Sequence, residues 1–204
     1  ELADNVQALL DEHAPVFDAQ RAKTAIFYSI SNTQTGLRGV SFGNFLLKRV
    51  VEDLKRDFPR LTTFATLSPI PTLRRWVDKN PDIWAQAFGG DMVERVARQV
   101  GSKGIAVDSI DAIRKLLADD AWVGNARLAR ALQPGLTRLA ARYFLNAKSG
   151  DRPYDPVSRF HLGNGARIER INYLADTSPN GLKQSFGLMV NYLYDPDAIE
   201  ANVE

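Results

Sequence analysis

Apolar residues at Leu2, Val6, Leu9 and Leu10 recur at helical spacing and predict a helix over residues 2–11, stopped by Pro15. The pattern then changes. Thr24-Ala25-Ile26-Phe27-Tyr28-Ser29-Ile30 is a short apolar run rich in strand formers and predicts a buried strand. A loop with Gly36 and Gly39 follows. From Phe42 the period becomes helical again: Phe42, Phe45, Leu46, Val50 and Leu54 form one stripe, widened by Leu47 and Val51. Lys48, Glu52, Lys55 and Arg56 take the opposite side, and the helix ends before Pro59. Leu61 to Leu67 predicts a second strand. Strand, glycine loop, helix and strand over residues 24–67 make a βαβ unit, which favours a right-handed crossover.

Residues 72–147 carry a mainly helical pattern. Val107, Ile110, Ile113, Leu116 and Leu117 mark one helix. Leu128, Leu132, Leu136, Leu139, Ala140 and Phe144 mark another, which Pro134-Gly135 is expected to interrupt or kink. Residues 149–156, rich in Gly, Asp and Pro, predict a loop. Arg167–Leu174 and Phe186–Tyr194 predict two late strands. The fold class is therefore α/β (α+β), a mixed sheet with flanking helices and a helical insertion over 72–147.

Composition narrows the chemistry. The chain has 204 residues, 45% of them apolar, which suits one domain with a real core. A net charge of +2 does not announce a nucleic-acid partner. With no cysteine, this chain has no disulfide, no thiolate nucleophile and no zinc–thiolate or iron–sulfur site. Its two histidines, His13 and His161, are far apart in sequence, which disfavours a histidine-rich metal site. No apolar run approaches the roughly 20 residues of a bilayer span, and no signal-peptide pattern is present, so a cytoplasmic location is expected. The chain opens at Glu1 without a methionine and runs straight into a helical pattern, which predicts a piece of a longer protein.

Arg38-Gly39-Val40-Ser41-Phe42-Gly43 lies between the first strand and the amphipathic helix. A helix start presents unpaired backbone N–H groups and partial positive charge, and glycines let a pyrophosphate approach closely. The run is neither a Walker A nor a GxGxxG sequence. It resembles the CoA loop of GNAT-type acyltransferases, with Arg38 first, Gly43 last and Ser41 in place of the middle glycine. A plain strand-to-helix turn is the alternative.

Longer stretches resemble the malonyl-CoA decarboxylase family: Ala25 to Ser31, Gly36 to Phe45, Leu67-Ser68-Pro69-Ile70-Pro71, Phe160-His161-Leu162-Gly163-Asn164-Gly165-Ala166, and Gly187-Leu188-Met189-Val190-Asn191-Tyr192. The likeness spans nearly the whole chain and keeps the motifs in order. It implies a GNAT-like catalytic domain. The family's helical N-terminal domain, through which it assembles into tetramers, and one early strand are expected upstream of Glu1. It also implies conversion of malonyl-CoA to acetyl-CoA and carbon dioxide, which sets malonyl-CoA levels in fatty-acid metabolism. The family's CoA contacts fall on Arg38, Gly39, Val40, Ser41, Phe42, Gly43 and Asn44. Its catalytic serine falls on Ser68, its histidine on His161 and an active-site tyrosine on Tyr194, with Tyr192 close by.

The chemistry that the resemblance implies needs no cofactor or metal, because the thioester carbonyl is itself the electron sink. The protein must orient the carboxylate, stabilise an enolate and supply a proton to carbon. His161 suits the last task, since its ordinary pKa lies near ~6.5. It is expected on a loop between Phe160 and the Gly163-Asn164-Gly165 turn that aims the ring into a cleft. Without the resemblance it reads equally as a packed histidine, Ser68-Pro69 as a turn, and Tyr194 as a core tyrosine. Two rival functions remain open: a GNAT-type N-acyltransferase, and a non-catalytic acyl-CoA-binding module that keeps the loop but needs neither Ser68 nor His161. If the loop holds the pyrophosphate, Gly43→Pro or a bulky residue at Gly39 weakens CoA and malonyl-CoA binding alike in a titration. Unchanged affinity for both would reduce the loop to a turn.

Overall fold

A computed structural model gives the structure of residues 2–15, 17–28, 43–100, 106–199 and 201–202. Arg38 to Phe42 lie outside the described residues, as does the side chain of Asn44, so the expected CoA loop is not part of the geometry below.

The βαβ unit is present. β1 (Thr24–Phe27) and β2 (Thr63–Thr66) pair in parallel, Thr24 opposite Thr63 through Phe27 opposite Thr66, and α2 (Gly43–Asp57) connects them. Among the described side chains of α2, Val51 is buried, and Leu47 and Leu54 pack against the core; Phe42 and the side chains of Phe45 and Leu46 lie outside the described residues. The polar side carries Arg49 and Arg56, paired with Glu52, Asp53 and Asp57. Ser68–Pro69 forms β3, Arg167–Asn172 forms β6 and Met189–Tyr194 forms β7, completing a five-stranded mixed sheet; the short hairpin of β4 (Lys148–Ser149) and β5 (Arg152–Pro153) stands apart. The expected α/β class with a mixed sheet is thus what the structure shows.

β7 is the organising strand. β2 pairs with it antiparallel at Phe64–Tyr194 and Ala65–Leu193, and β3 pairs at Ser68–Val190 and Pro69–Met189. Both pairings share one register, so β2 and β3 lie end to end along one edge of β7, and β6 takes the other edge. Between them the ladder breaks. Tyr192 N–H donates to the Thr66 hydroxyl (3.1 Å), and the Asn191 side-chain amide donates to Thr66 C=O (2.7 Å). Leu67 N–H turns to Phe27 C=O. Side chains alternate along this line. Phe64, Thr66 and Ser68 share a face with Tyr194, Tyr192 and Val190, whereas Leu67 and Met189 turn to a small cluster with Ala175, packed by Val6 and Ile26.

The helical stretch resolves into α3 (Leu73–Lys79), α4 (Asp82–Phe88), α5 (Met92–Val100), α6 (Ile110–Leu116) and α7 (Ala126–Asn146). They build the larger core around Trp84, Phe88, Ile113, Leu132, Leu136 and Leu139, which is continuous with Phe64 and Tyr192 on the sheet. α8 (Pro156–Gly163) packs against β6, and α9 (Pro179–Ser185) packs against α3. No helix among the described residues is long and apolar enough to cross a membrane.

Four expectations need correction. Pro134 does not end its helix: α7 runs unbroken through it. A proline deletes one backbone donor and crowds the preceding turn, but Leu132, Gly135, Leu136 and Leu139 are buried on both sides of it, and this packing holds the helix through. The predicted helix over 2–11 shrinks to α1 (Val6–Leu9) because Leu2 and Ala3 are drawn to the sheet. Their carbonyls accept from Arg170 and, for Ala3, from Asn191. Residues 149–156 hold the β4–β5 turn, with Gly150 at φ 63°, and then the cap of a helix rather than an open loop. The last strand starts at Met189, not Phe186: Phe186 and Gly187 both have positive φ and terminate α9.

Gly135 lets α7 approach α4, since a Cβ there would collide with the buried Phe88 ring. Helix propensity alone makes Gly135→Ala stabilising by about 1 kcal/mol. The collision reverses the sign, to a loss of roughly 1–3 kcal/mol. Urea unfolding measures this, and a raised midpoint would contradict the packing.

Candidate active site

The break between β2 and β3 puts two hydroxyls side by side. Thr66 and Ser68 are two residues apart, on the same face, and buried. The Ser68 hydroxyl donates to Thr66 Oγ1 at 2.8 Å. Ser68 also meets His161: Oγ to Nε2 is 3.2 Å. On the far side of the ring, Nδ1 is 2.7 Å from the Tyr194 hydroxyl. Thr66, Ser68, His161 and Tyr194 therefore form one continuous hydrogen-bonded line, and the three expected catalytic residues Ser68, His161 and Tyr194 are brought together.

His161 does not sit on a loop, as the glycine-flanked sequence suggested. It lies in the last turn of α8, 3% exposed. The helix is set upstream by Asp155-Pro156. The Asp155 side chain accepts from the Val157 and Ser158 N–H groups, and Pro156 occupies the first turn, where its missing donor costs nothing. The other oxygen of Asp155 accepts from the Thr72 hydroxyl (2.9 Å) and the Tyr143 hydroxyl (3.1 Å), so the cap is tied to the start of α3 and to α7. The two hydroxyls also lie 2.6 Å apart and share their hydrogens among these contacts, so two N–H groups and a hydroxyl pair satisfy the buried carboxylate.

Tyr192 and Tyr194 have separate places. Tyr194 binds the ring nitrogen. Tyr192 stacks on the ring face, with centroids 4.5 Å apart at 25°, and its hydroxyl bonds Ser158 Oγ at 2.6 Å. The imidazole is thus held at both nitrogens and on one face. Thr66, Asp155, Ser158 and the stacking role of Tyr192 were missed by sequence reasoning. Only Asp155 left a signal, as an Asp-Pro pair opening a helix.

Burial dominates the electrostatics. It lowers His161 from the usual 6.5 to about 4, so the ring is neutral at pH 7. It also pushes the Tyr194 and Tyr192 hydroxyls well above their ordinary value, which keeps both protonated. Chemically, the arrangement is a dry histidine with a serine on one nitrogen and a tyrosine on the other, able to hold or transfer a proton at a strand end.

A mixed sheet entered by a βαβ unit thus carries a buried Ser–His–Tyr line, with Ser68 on β3, His161 on α8 and Tyr194 on β7. The whole chain, residues 1–204, matches the family model "Malonyl-CoA decarboxylase C-terminal domain", and the chain belongs to that family. It is 38% identical over 197 residues to the mitochondrial malonyl-CoA decarboxylase of Anser anser anser, a match covering 95% of this chain and 39% of the relative. The mitochondrial malonyl-CoA decarboxylase of Rattus norvegicus is also 38% identical, with 95% and 40% covered. Among solved structures, malonyl-CoA decarboxylase from Rhodopseudomonas palustris superposes with a TM-score of 0.82 at 45% identity, covering 100% of this chain and 43% of that one. The enzyme from Cupriavidus metallidurans gives 0.73 at 47% identity, covering 100% and 48%. The chain thus spans about two fifths of the length of the curated relatives it matches.

The histidine links stability to pH. Its folded pKa, about 4, lies below the unfolded 6.5. Between these values the unfolded chain binds the proton and the folded chain does not. Stability is therefore complete above pH 6.5, falls as the pH drops towards 4, and levels off below, by at most roughly 3 kcal/mol. In urea unfolding, the native protein should lose ground to His161→Gln between pH 7 and pH 4. Parallel curves would show that the ring is not held neutral.

Proposed function

We propose that the chain carries the catalytic centre of a malonyl-CoA decarboxylase, a carboxy-lyase that converts malonyl-CoA to acetyl-CoA and carbon dioxide. The observation that carries this reading is the buried Ser68–His161–Tyr194 line, in a chain whose relatives bear that name. Ser68, His161 and Tyr194 are the catalytic residues, and Arg38 to Asn44 hold the CoA. An oligomeric parent protein and a cytoplasmic location complete the reading; they rest on the family resemblance and on the sequence pattern respectively.

The reaction breaks the bond between the carboxylate and C2. The electron pair passes into the thioester carbonyl, giving carbon dioxide and an enolate, and C2 then takes a proton. Burial keeps His161 neutral at pH 7. A malonyl carboxylate entering beside the ring adds a negative charge, which favours the imidazolium. The substrate thus draws in the proton that its own decarboxylation consumes. Once carbon dioxide leaves, the ring delivers that proton to carbon. Ser68 binds the departing carboxylate or relays the proton, without forming an acyl-serine. Tyr194 orients the ring through Nδ1.

Incubation of the parent protein with malonyl-CoA and no amine separates this reaction from N-acyl transfer: carbon dioxide and acetyl-CoA must still form. His161→Ala should lower turnover by at least ~100-fold, with CoA affinity little changed. Ser68→Ala should slow turnover by about 10- to 150-fold, the cost of one hydrogen bond to a charged group, and leave acetyl-CoA affinity intact. Rapid-quench mass spectrometry checks the covalent alternative, and an acyl adduct on Ser68 would overturn the non-covalent route. Near-normal turnover in folded His161→Ala would remove the histidine from the chemistry.

A further inference from the structure

We infer that Thr66 is a positioning residue that sets the direction of the hydrogen bonds through Ser68 and His161, keeping the Ser68 hydrogen off Nε2 so that the serine is not readied as a nucleophile. The inference rests on the decarboxylase reading for its consequence, but its geometry stands apart from it.

A serine–histidine pair can be ordered in two ways. In one, the serine hydroxyl donates to the bare Nε2, and the serine is readied as a nucleophile. In the other, Nε2 carries the hydrogen and donates to the serine oxygen. A hydroxyl has a single hydrogen. That of Ser68 is directed at Thr66 Oγ1, 2.8 Å away. The 3.2 Å contact with His161 must then be Nε2–H donating to Ser68 Oγ. A neutral imidazole has only one N–H, so Nδ1 is bare and accepts from the Tyr194 hydroxyl at 2.7 Å. With the Ser68 hydrogen on Thr66 Oγ1, these positions satisfy the contacts of Ser68, His161 and Tyr194; the reverse order, Thr66 donating to Ser68 and Ser68 to Nε2, puts the ring hydrogen on Nδ1, and the tautomer distinguishes the two.

Thr66 can enforce this choice because it is itself fixed. It is fully buried, its carbonyl accepts from the Asn191 amide, and its hydroxyl oxygen already accepts from Tyr192 N–H at the break in the ladder. A second lone pair remains, and it faces Ser68. A β-branched side chain also has a restricted χ1, so the acceptor does not swing away. The missing rung of the sheet thus supplies the acceptor that holds the Ser68 proton until a substrate carboxylate competes for it.

The test reads the ring directly. In parent protein labelled with 15N-histidine, and with His161→Gln identifying the resonance, His161 of the native protein should carry its hydrogen on Nε2. In Thr66→Val, Ser68 loses its acceptor and should turn to Nε2, moving the hydrogen to Nδ1. Turnover should fall about tenfold or more, with acetyl-CoA affinity little changed, and Thr66→Ser should restore both tautomer and rate. A native protein with the hydrogen on Nδ1 overturns the inference without any variant, even if Thr66→Val does not fold. So does a folded Thr66→Val that keeps the native tautomer. If the tautomers behave as stated while malonyl-CoA is not decarboxylated, the role of Thr66 stands and the functional reading falls.

Discussion

The site depends on one displaced rung in a β-ladder. Where β2 gives way to β3 along β7, the main-chain pairing is taken over by side chains: Tyr192 N–H finds the Thr66 hydroxyl, and Thr66 C=O finds the Asn191 amide. Buried backbone groups must be satisfied, so these two bonds are as obligatory as the rung they replace. Because β2 and β3 keep a common register on β7, the break does not flip the strand. Thr66 and Ser68 stay on the face that α8 covers, and Asn191 reaches to the opposite side, where it holds Asn172, within reach of Arg170, and the carbonyl of Ala3.

The same economy governs α8. A histidine this deeply buried needs both nitrogens satisfied, and the partners come from two strands, β3 and β7. Its helix is fixed by Asp155, whose carboxylate also accepts from Thr72 and Tyr143. Tyr143 belongs to α7, the longest of the described helices. The helical stretch is therefore not an appendage: through Tyr143 and Thr72 it sets the position of the helix that carries His161.

The βαβ unit and the choice of Ser68, His161 and Tyr194, which the fold brings into contact, came from the sequence for different reasons. The unit showed in the change of period from strand to helix at Phe42, a local signal backed by burial of Val51. Ser68, His161 and Tyr194 came from the family resemblance. Spacing alone could not bring residues so distant in the chain together. α8 was hidden because Val157-Ser158-Arg159-Phe160-His161 has no apolar stripe, and its helix rests on the Asp155 cap instead. Thr66 was hidden more completely. Within Leu61–Leu67 it reads as one more strand-forming residue, and its role exists only through a break in pairing with β7. The N-terminal residues failed in the reverse sense: their apolar spacing is helical, but tertiary hydrogen bonds to Arg170 and Asn191 override it at Leu2 and Ala3.

The account stands on the orientation of the acyl group at the Ser68–His161 pair. A crystal structure of the parent protein with a malonyl-CoA analogue that cannot lose carbon dioxide tests it most directly. The account predicts the acyl end within hydrogen-bond reach, about 3 Å, of Ser68 Oγ and His161 Nε2, with the pyrophosphate on the Arg38–Asn44 loop. An analogue bound with its acyl end away from both side chains would contradict it.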